Sequence, residues 1–116
     1  MTVKRIVANL AAAEPDKGKP FYEDILGLQP LMDQGWIITF GSAEQMRTQV
    51  SLASQGGSGT PLPDLSIEVD DYDAVLERVR AAQLPIEYGP ALEPWGVRRF
   101  YVRDPFGKLI NILEHA

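Results

Sequence analysis

The sequence predicts an α+β protein built from two βαβββ modules whose strands curl into one concave mixed sheet. Three observations lead there. The order strand, helix, then about three strands runs twice through the 116 residues, as a repeat of pattern rather than of identities. A Gly/Ser/Pro-rich stretch, Gln55–Pro63, divides the two runs near the middle, in the manner of a flexible connection. The length suits one domain, with module one at about 1–54, the linker at 55–63 and module two at about 64–116.

In the first module, Ile6, Ala8 and Leu10 alternate with Arg5, Val7 and Asn9, so Val3–Leu10 reads as a strand. Asp16 is placed to cap a helix running to about Leu26, with Pro20 in its first turns. Phe21/Ile25 and Tyr22/Leu26 form its apolar stripe, and Gly27 stops it. Leu28–Met32 reads as a short extended piece, Asp33–Gln34–Gly35 as a turn, and Trp36–Phe40 as a strand rich in β formers. After a turn at Gly41–Gln45, Arg47–Ala53 alternates again, and these last three extended runs suit an antiparallel meander.

The second module restarts with Leu65, Ile67 and Val69 against Asp64, Ser66 and Glu68. Asp70 or Asp71 caps a helix over about Tyr72–Ala82, with Val75, Leu76 and Val79 inward. Pro85–Tyr88 reads as a strand, Gly89–Gly96 as a loop holding Trp95, Val97–Arg103 as a strand, Asp104–Gly107 as a tight turn, and Leu109–Leu113 as the last strand.

Composition narrows the function classes. Net charge is −5 with a pI near 4.7, and the densest basic stretch is Arg98, Arg99 and Arg103. That is no stripe able to neutralise phosphates, so nucleic acid is not an expected partner. The chain has no cysteine, which removes disulfides, thiolate metal sites and a cysteine nucleophile. No apolar run approaches the ~20 residues of a membrane span, and Met1–Asn9 is too mixed for a signal peptide, so the expected location is cytoplasmic with no membrane partner. Ser51 and Ser66 have no histidine base or elbow motif, which argues against a serine hydrolase. Gly56–Gly57–Ser58–Gly59 lacks the lysine and helix of a phosphate loop.

Four segments, in order and at the right spacing, resemble the vicinal oxygen chelate superfamily of glyoxalases, bleomycin resistance proteins and extradiol dioxygenases. Phe21–Tyr22–Glu23–Asp24–Ile25–Leu26–Gly27 resembles its FYxxxLG signature, and Asp104–Pro105–Phe106–Gly107–Lys108–Leu109–Ile110 its DPxGxxI signature. Glu68–Val69–Asp70–Asp71 resembles the start of its second module. Trp95–Gly96 before Arg99–Phe100–Tyr101 is similar to its lead into the penultimate strand. The resemblance implies the glyoxalase/bleomycin resistance fold, a cleft lined by the concave strand faces, and a homodimer whose pockets form across the interface.

It also implies where metal-using members carry ligands. These positions fall on Val7, on Gln49 or Ser51, on Asp64, and on Asn111. Val7 offers no donor, Gln49 and Asn111 offer neutral amides, Ser51 a hydroxyl, and Asp64 the only carboxylate. Such a set suits a transition metal poorly, and the only histidine, His115, lies outside the pattern. The expectation is therefore no metal and no cofactor. Val7–Ala8–Asn9–Leu10 followed by Phe21–Tyr22 resembles the opening of the metal-free bleomycin-binding members.

Taken literally, the alternation puts Arg5, Val7, Asn9, Gln49, Ser51, Asp64, Ser66, Arg99, Tyr101 and Asn111 on the open face. The candidate ligand-binding set is Gln49, Ser51, Asp64, Ser66, Arg99, Tyr101 and Asn111, with Trp95 closing the cleft from its loop, and the candidate ligand is a small organic molecule. Trp36 is placed for either packing or a dimer contact. The acidic chain favours cationic ligands, and the resemblance to the bleomycin-binding members implies sequestration of an antibiotic or metabolite. The alternatives are a lyase, isomerase or dioxygenase of the same superfamily, with Asp64 and Arg99 as an acid–base pair, and a module whose cleft is vestigial.

Overall fold

In the computed structural model, residues 7–44 and 50–115 are described. The second half holds the larger sheet. Strands β3 (Leu65–Glu68), β4 (Ile86–Leu92), β5 (Val97–Arg103) and β6 (Leu109–His115) form one sheet in the order β3-β6-β5-β4, with helix α1 (Tyr72–Ala81) between β3 and β4. β3 runs parallel to β6, while β4–β5 and β5–β6 are antiparallel. The apolar alternates Leu65 and Ile67, Phe100 and Val102, and Ile110 and Ile112 face α1, which returns Tyr72, Val75, Leu76 and Val79. Each such side chain contributes about 1.5–3 kcal/mol on burial. Asp71 caps α1 by accepting from the Ala74 amide at 3.1 Å, which settles the Asp70/Asp71 choice; the helix ends where Gln83 takes φ +59.

β4 is longer than the sequence suggests. Gly89 and Pro90, which read as the start of a loop, lie inside it at a register shift. Gly89 has φ +83, and a Cβ there would sit 2.6 Å from the Arg99 carbonyl. Glycine thus lets the strand bulge and stay close to β5, and β4 is an edge strand, where proline is tolerated.

The first half departs further from expectation. The single helix expected from Asp16 to Leu26 is instead a 3₁₀ turn, Pro15–Gly18, followed by a π-helix, Pro20–Ile25. Pro20 has no N–H, so the backbone bond that would carry an α-helix through that point is missing. The chain resumes on wider bonds, such as Leu26 N–H to the Phe21 carbonyl at 3.1 Å. Asp16 caps nothing; it lies inside the 3₁₀ turn, whose N-cap is Glu14.

β1 (Gln29–Asp33) and β2 (Ile38–Gly41) pair as an antiparallel hairpin. The expected Asp33–Gly35 turn joins them, with the Gly35 amide donating to Asp33 Oδ1 at 3.0 Å. Of the two outer strands expected, Val7–Leu10 and Val50–Ala53 are irregular, and Val3–Ile6 and Arg47–Gln49 lie outside the described residues. Their alternation is real, but strand propensity is realised only where a neighbour is paired and packed. The halves meet where Phe21 and Ile25 enter the main core and the Tyr22 hydroxyl donates to Asp104 Oδ2 at 2.7 Å.

Among the described residues, no helix is long and apolar enough to cross a membrane.

Candidate functional site

The face of the second sheet turned away from α1 carries most of the expected site residues. Register places Ser66, Asn111, Tyr101 and Tyr88 side by side across all four strands. Asn111 Nδ2 donates to Ser66 Oγ at 3.1 Å. Asn111 is 6 % exposed, and among the described residues its Oδ1 has no hydrogen-bond partner. A buried acceptor without a partner is rare and calls for a physical reason.

The next row holds Arg99, level with Leu113 and Glu68. Arg99 is 4 % exposed. Its guanidinium lies 5.1 Å from the rings of Trp95 and Tyr101 and 5.3 Å from that of Tyr88. The buried Glu93 carboxylate faces it, with Arg99 Nε 3.6 Å from Oε1. Glu93 also accepts from the Ser58 and Tyr88 hydroxyls. Those two hydrogen bonds, then the Arg99 charge, hold Glu93 below the usual carboxylate range.

Asp64 lies at the opposite end of the face. Its Oδ2 accepts from the Leu109 amide at 2.7 Å, level with Arg103. Asp64 and Arg99 are therefore not brought together as an acid–base pair. Ser51 is exposed on an irregular segment, and Gln49 lies outside the described residues. Trp95 is 52 % exposed in the β4–β5 loop, beside Arg99 at the mouth of the face.

The Gln55–Pro63 stretch crosses this face. The hydroxyls of Thr60 and Tyr101 are 2.9 Å apart, Tyr101 also donates to the Pro61 carbonyl at 3.2 Å, and Thr60 is buried. The loop is thus docked on the sheet rather than free. A cleft of about 350 Å³ opens beside it, bounded by Ser58–Pro61, Tyr88 and Tyr101.

A larger cavity, of about 490 Å³, lies on the other side of β3, against Leu65 and Ile67. Val7, Asn9, Trp36, Phe40, Phe106 and the Tyr22–Asp104 pair are among its walls. Tyr22 stacks on Phe40 with centroids 5.7 Å apart. Burial, and then the bond to Asp104, raises the Tyr22 pKa far above the ordinary phenol value, so its hydroxyl is a fixed donor. Of the eight sequence-derived ligand-binding residues, the seven that are described do not line this cavity.

The residues at the metal positions do not fit a metal. Val7 is aliphatic, the Asp64 carboxylate is engaged by a backbone amide, and Asn111 gives one neutral oxygen. Among the described residues, no three His, Cys, Asp or Glu side chains converge. Sequence reasoning missed Glu93, Tyr88, Ser58 and Thr60. Glu93 could have been found by carrying the strand alternation through the Glu93–Gly96 turn; the loop residues left no such trace.

Residues 3–112 match the family described as the Glyoxalase/Bleomycin resistance protein/Dioxygenase superfamily, and the chain belongs to it. Among solved structures it is similar to TnmS3, an antibiotic binding protein from Streptomyces sp. CB03234, with a TM-score of 0.67 and 24% identity over 100% of this chain and 97% of that one. TioX from Micromonospora sp. ML1 gives 0.65 and 24%, covering 96% and 95%. A lactoylglutathione lyase from Agrobacterium tumefaciens gives 0.67 and 22%, covering 97% and 92%. At these identities the likeness establishes the shared fold, in α+β form. Among curated proteins, none matches the chain.

Proposed function

We propose that the protein binds a small organic molecule on the concave face of its second sheet, without the family's metal, and works as a homodimer. The observation that carries this reading is the Asn111 carboxamide. It stands where the metal-using pattern ends in a carboxylate. Among the described residues its Oδ1 is buried without a partner, in a row that also holds the Ser66 hydroxyl. A ligand N–H or O–H reaching that row would satisfy the oxygen, and Trp95 supplies a flat wall. An antibiotic is a reasonable ligand class, since TnmS3 shares the fold and is an antibiotic binding protein.

The dimer rests on the first half. Trp36 is 77 %, Val50 78 % and Leu52 95 % exposed. Large apolar side chains left exposed in one half of a small chain suit an interaction surface, and a second copy is the partner that the resemblance implies.

A thermal-shift panel of antibiotics and aromatic metabolites, cationic and uncharged, tests the binding role. At least one compound is expected to raise Tm, and Trp95→Ala and Asn111→Ala each to weaken that compound about tenfold, which is ~1.4 kcal/mol. A panel with no shift, or a hit indifferent to both substitutions, removes the site. Elemental analysis is expected to find no stoichiometric Ni, Zn, Fe or Mn; finding one bound at the cleft would sink the metal-free reading.

A further inference from the structure

The Gly56–Thr60 loop is closely made. The Gly56 amide donates to the Thr60 carbonyl at 2.9 Å, and the Thr60 amide and hydroxyl both donate to the Gly57 carbonyl, at 2.9 and 2.7 Å. Gly57, Ser58 and Gly59 are successively left-handed, with φ +85, +51 and +75, a region that a non-glycine such as Ser58 visits at some expense. A Cβ on Gly56 would run into Pro61 O, Thr60 Oγ1 and the Tyr101 hydroxyl, so glycine is needed there for close approach rather than for φ.

What fastens the loop to the sheet at Arg99 is polar. Arg99 Nη1 donates to the Gly56 carbonyl at 2.8 Å and Nη2 to the Gly57 carbonyl at 3.3 Å, and the Ser58 hydroxyl donates to Glu93. Arg99 already has its counter-charge in Glu93. The loop therefore supplies two neutral carbonyl oxygens along one edge of a guanidinium, within a ring-walled corner and next to the cleft bounded by Tyr88 and Tyr101.

We propose that Gly56–Thr60 is a displaceable strap whose own carbonyls hold the place of an uncharged, amide-bearing ligand on Arg99. Such a ligand puts two amide carbonyls on Nη1 and Nη2 and a flat ring against Trp95. The charge balance selects this class: an added anion would face Glu93, and an added cation would face Arg99. Exchange of strap for ligand conserves the two hydrogen bonds on Arg99, and the ring contact and release of the left-handed Ser58 offset the loss of the Ser58–Glu93 and Thr60–Tyr101 bonds. This inference rests on the binding role proposed above and adds the ligand's chemistry and the gate.

The strap is tested first without any ligand, in a Trp36→Phe background where Trp95 is the sole fluorophore of its kind. Gly57→Ala and Gly59→Ala both place a methyl on a left-handed residue, but only the Cβ at Gly57 meets Trp95, 2.9 Å from Cη2; at Gly59 nothing lies within 4 Å. Amide exchange at Gly56 and Thr60 is expected to be about tenfold faster in Gly57→Ala than in Gly59→Ala, with a change in Trp95 emission. Ser58→Ala, which leaves the backbone intact, is expected to give a smaller acceleration and carries the test if Gly57→Ala does not fold. Equal exchange in Gly57→Ala and Gly59→Ala, or no acceleration in Ser58→Ala, overturns the strap. The ligand class is read from the Arg99 Nε–H NMR signal. N-acetyltryptophanamide is expected to shift it and to bind Gly57→Ala several-fold tighter than wild type. N-acetyltryptophan and tryptamine are expected to bind more weakly. A charged probe binding as well as the amide, or an opened strap with no probe reaching Arg99, overturns the ligand assignment and leaves the thermal-shift panel to judge the binding role separately.

Discussion

The two halves of the chain carry the same strand–helix–strand rhythm, yet they bury it to very different degrees. Among the described residues the main core has ten buried members, of which Phe21 and Ile25 come from the first half. Val7, Leu31, Met32, Trp36, Val50 and Leu52, all first-half residues, make up most of the large apolar side chains left exposed. The second half has a capped helix lying on a four-stranded sheet. Among its described residues the first has a 3₁₀ turn, a π-helix and a two-stranded hairpin, and an isolated hairpin is marginal in water. Alternation in a sequence says which face of a strand is apolar. It does not say that the same chain supplies the surface to cover that face, and in the first half a second copy is the proposed cover.

The sharpest way to break this comparison is to truncate one large side chain in each half. Phe100→Ala, at a fully buried core position, is expected to lower unfolding free energy by about 3–5 kcal/mol. Trp36→Ala is expected to change it by less than about 0.5 kcal/mol, measured by urea denaturation at a concentration low enough to dissociate a dimer. Equal losses would mean that the first half is packed as well as the second. In sedimentation experiments the same Trp36→Ala substitution is expected to weaken dimerisation; a wild-type chain that stays monomeric at all concentrations contradicts the proposed interface.

A smaller effect is expected at the joint between the halves. Tyr22→Phe removes a hydrogen bond to a buried carboxylate, for about 1.5–3 kcal/mol. Because the folded protein raises the Tyr22 pKa, the contribution is whole below the unfolded value, about 10, and is lost as pH rises beyond it. Tyr22→Phe should therefore flatten the alkaline limb of the stability profile; an unchanged limb would show that Tyr22 does not join the halves.

The smallest effect is expected at Glu93, where the sign is opposite. Its pKa is lowered in the folded state, so its contribution is present above the unfolded value, about 4.3, and is lost as pH falls through the folded one. Glu93→Gln is expected to flatten the acid limb and to speed exchange at the Thr60 amide. An acid limb identical to wild type would detach Glu93 from the loop.

Most of the second half could be read from the sequence because its signals agree. Period-two alternation in Leu65–Val69, Val97–Arg103 and Leu109–Leu113 coincides with real pairing, and Asp71 sits where an N-cap belongs. The same alternation put Ser66, Arg99, Tyr101 and Asn111 on one face, as register shows. What escaped depends on long-range contact. Gly56–Thr60 has the composition of a flexible linker, but its glycines serve a left-handed turn and a close approach to Tyr101, and a sequence does not separate these uses. Pro20 suits the first turns of a helix by sequence alone, whereas its missing N–H redirects the chain into a π-helix. The cavity against Tyr22 and Phe40 is made by the hairpin, the 3₁₀ turn and β3 together, so no single motif announces it.

The two candidate places for a ligand lie on opposite faces of β3, and this makes the central claim directly testable. Backbone amide shifts can be mapped by NMR during titration with whichever compound stabilises the protein most in the thermal-shift panel. The account predicts that the largest shifts fall at Ser66, Tyr101, Asn111 and Trp95. Shifts concentrated at Tyr22, Phe40, Leu65 and Phe106 would contradict it and move the binding site to the other side of the sheet.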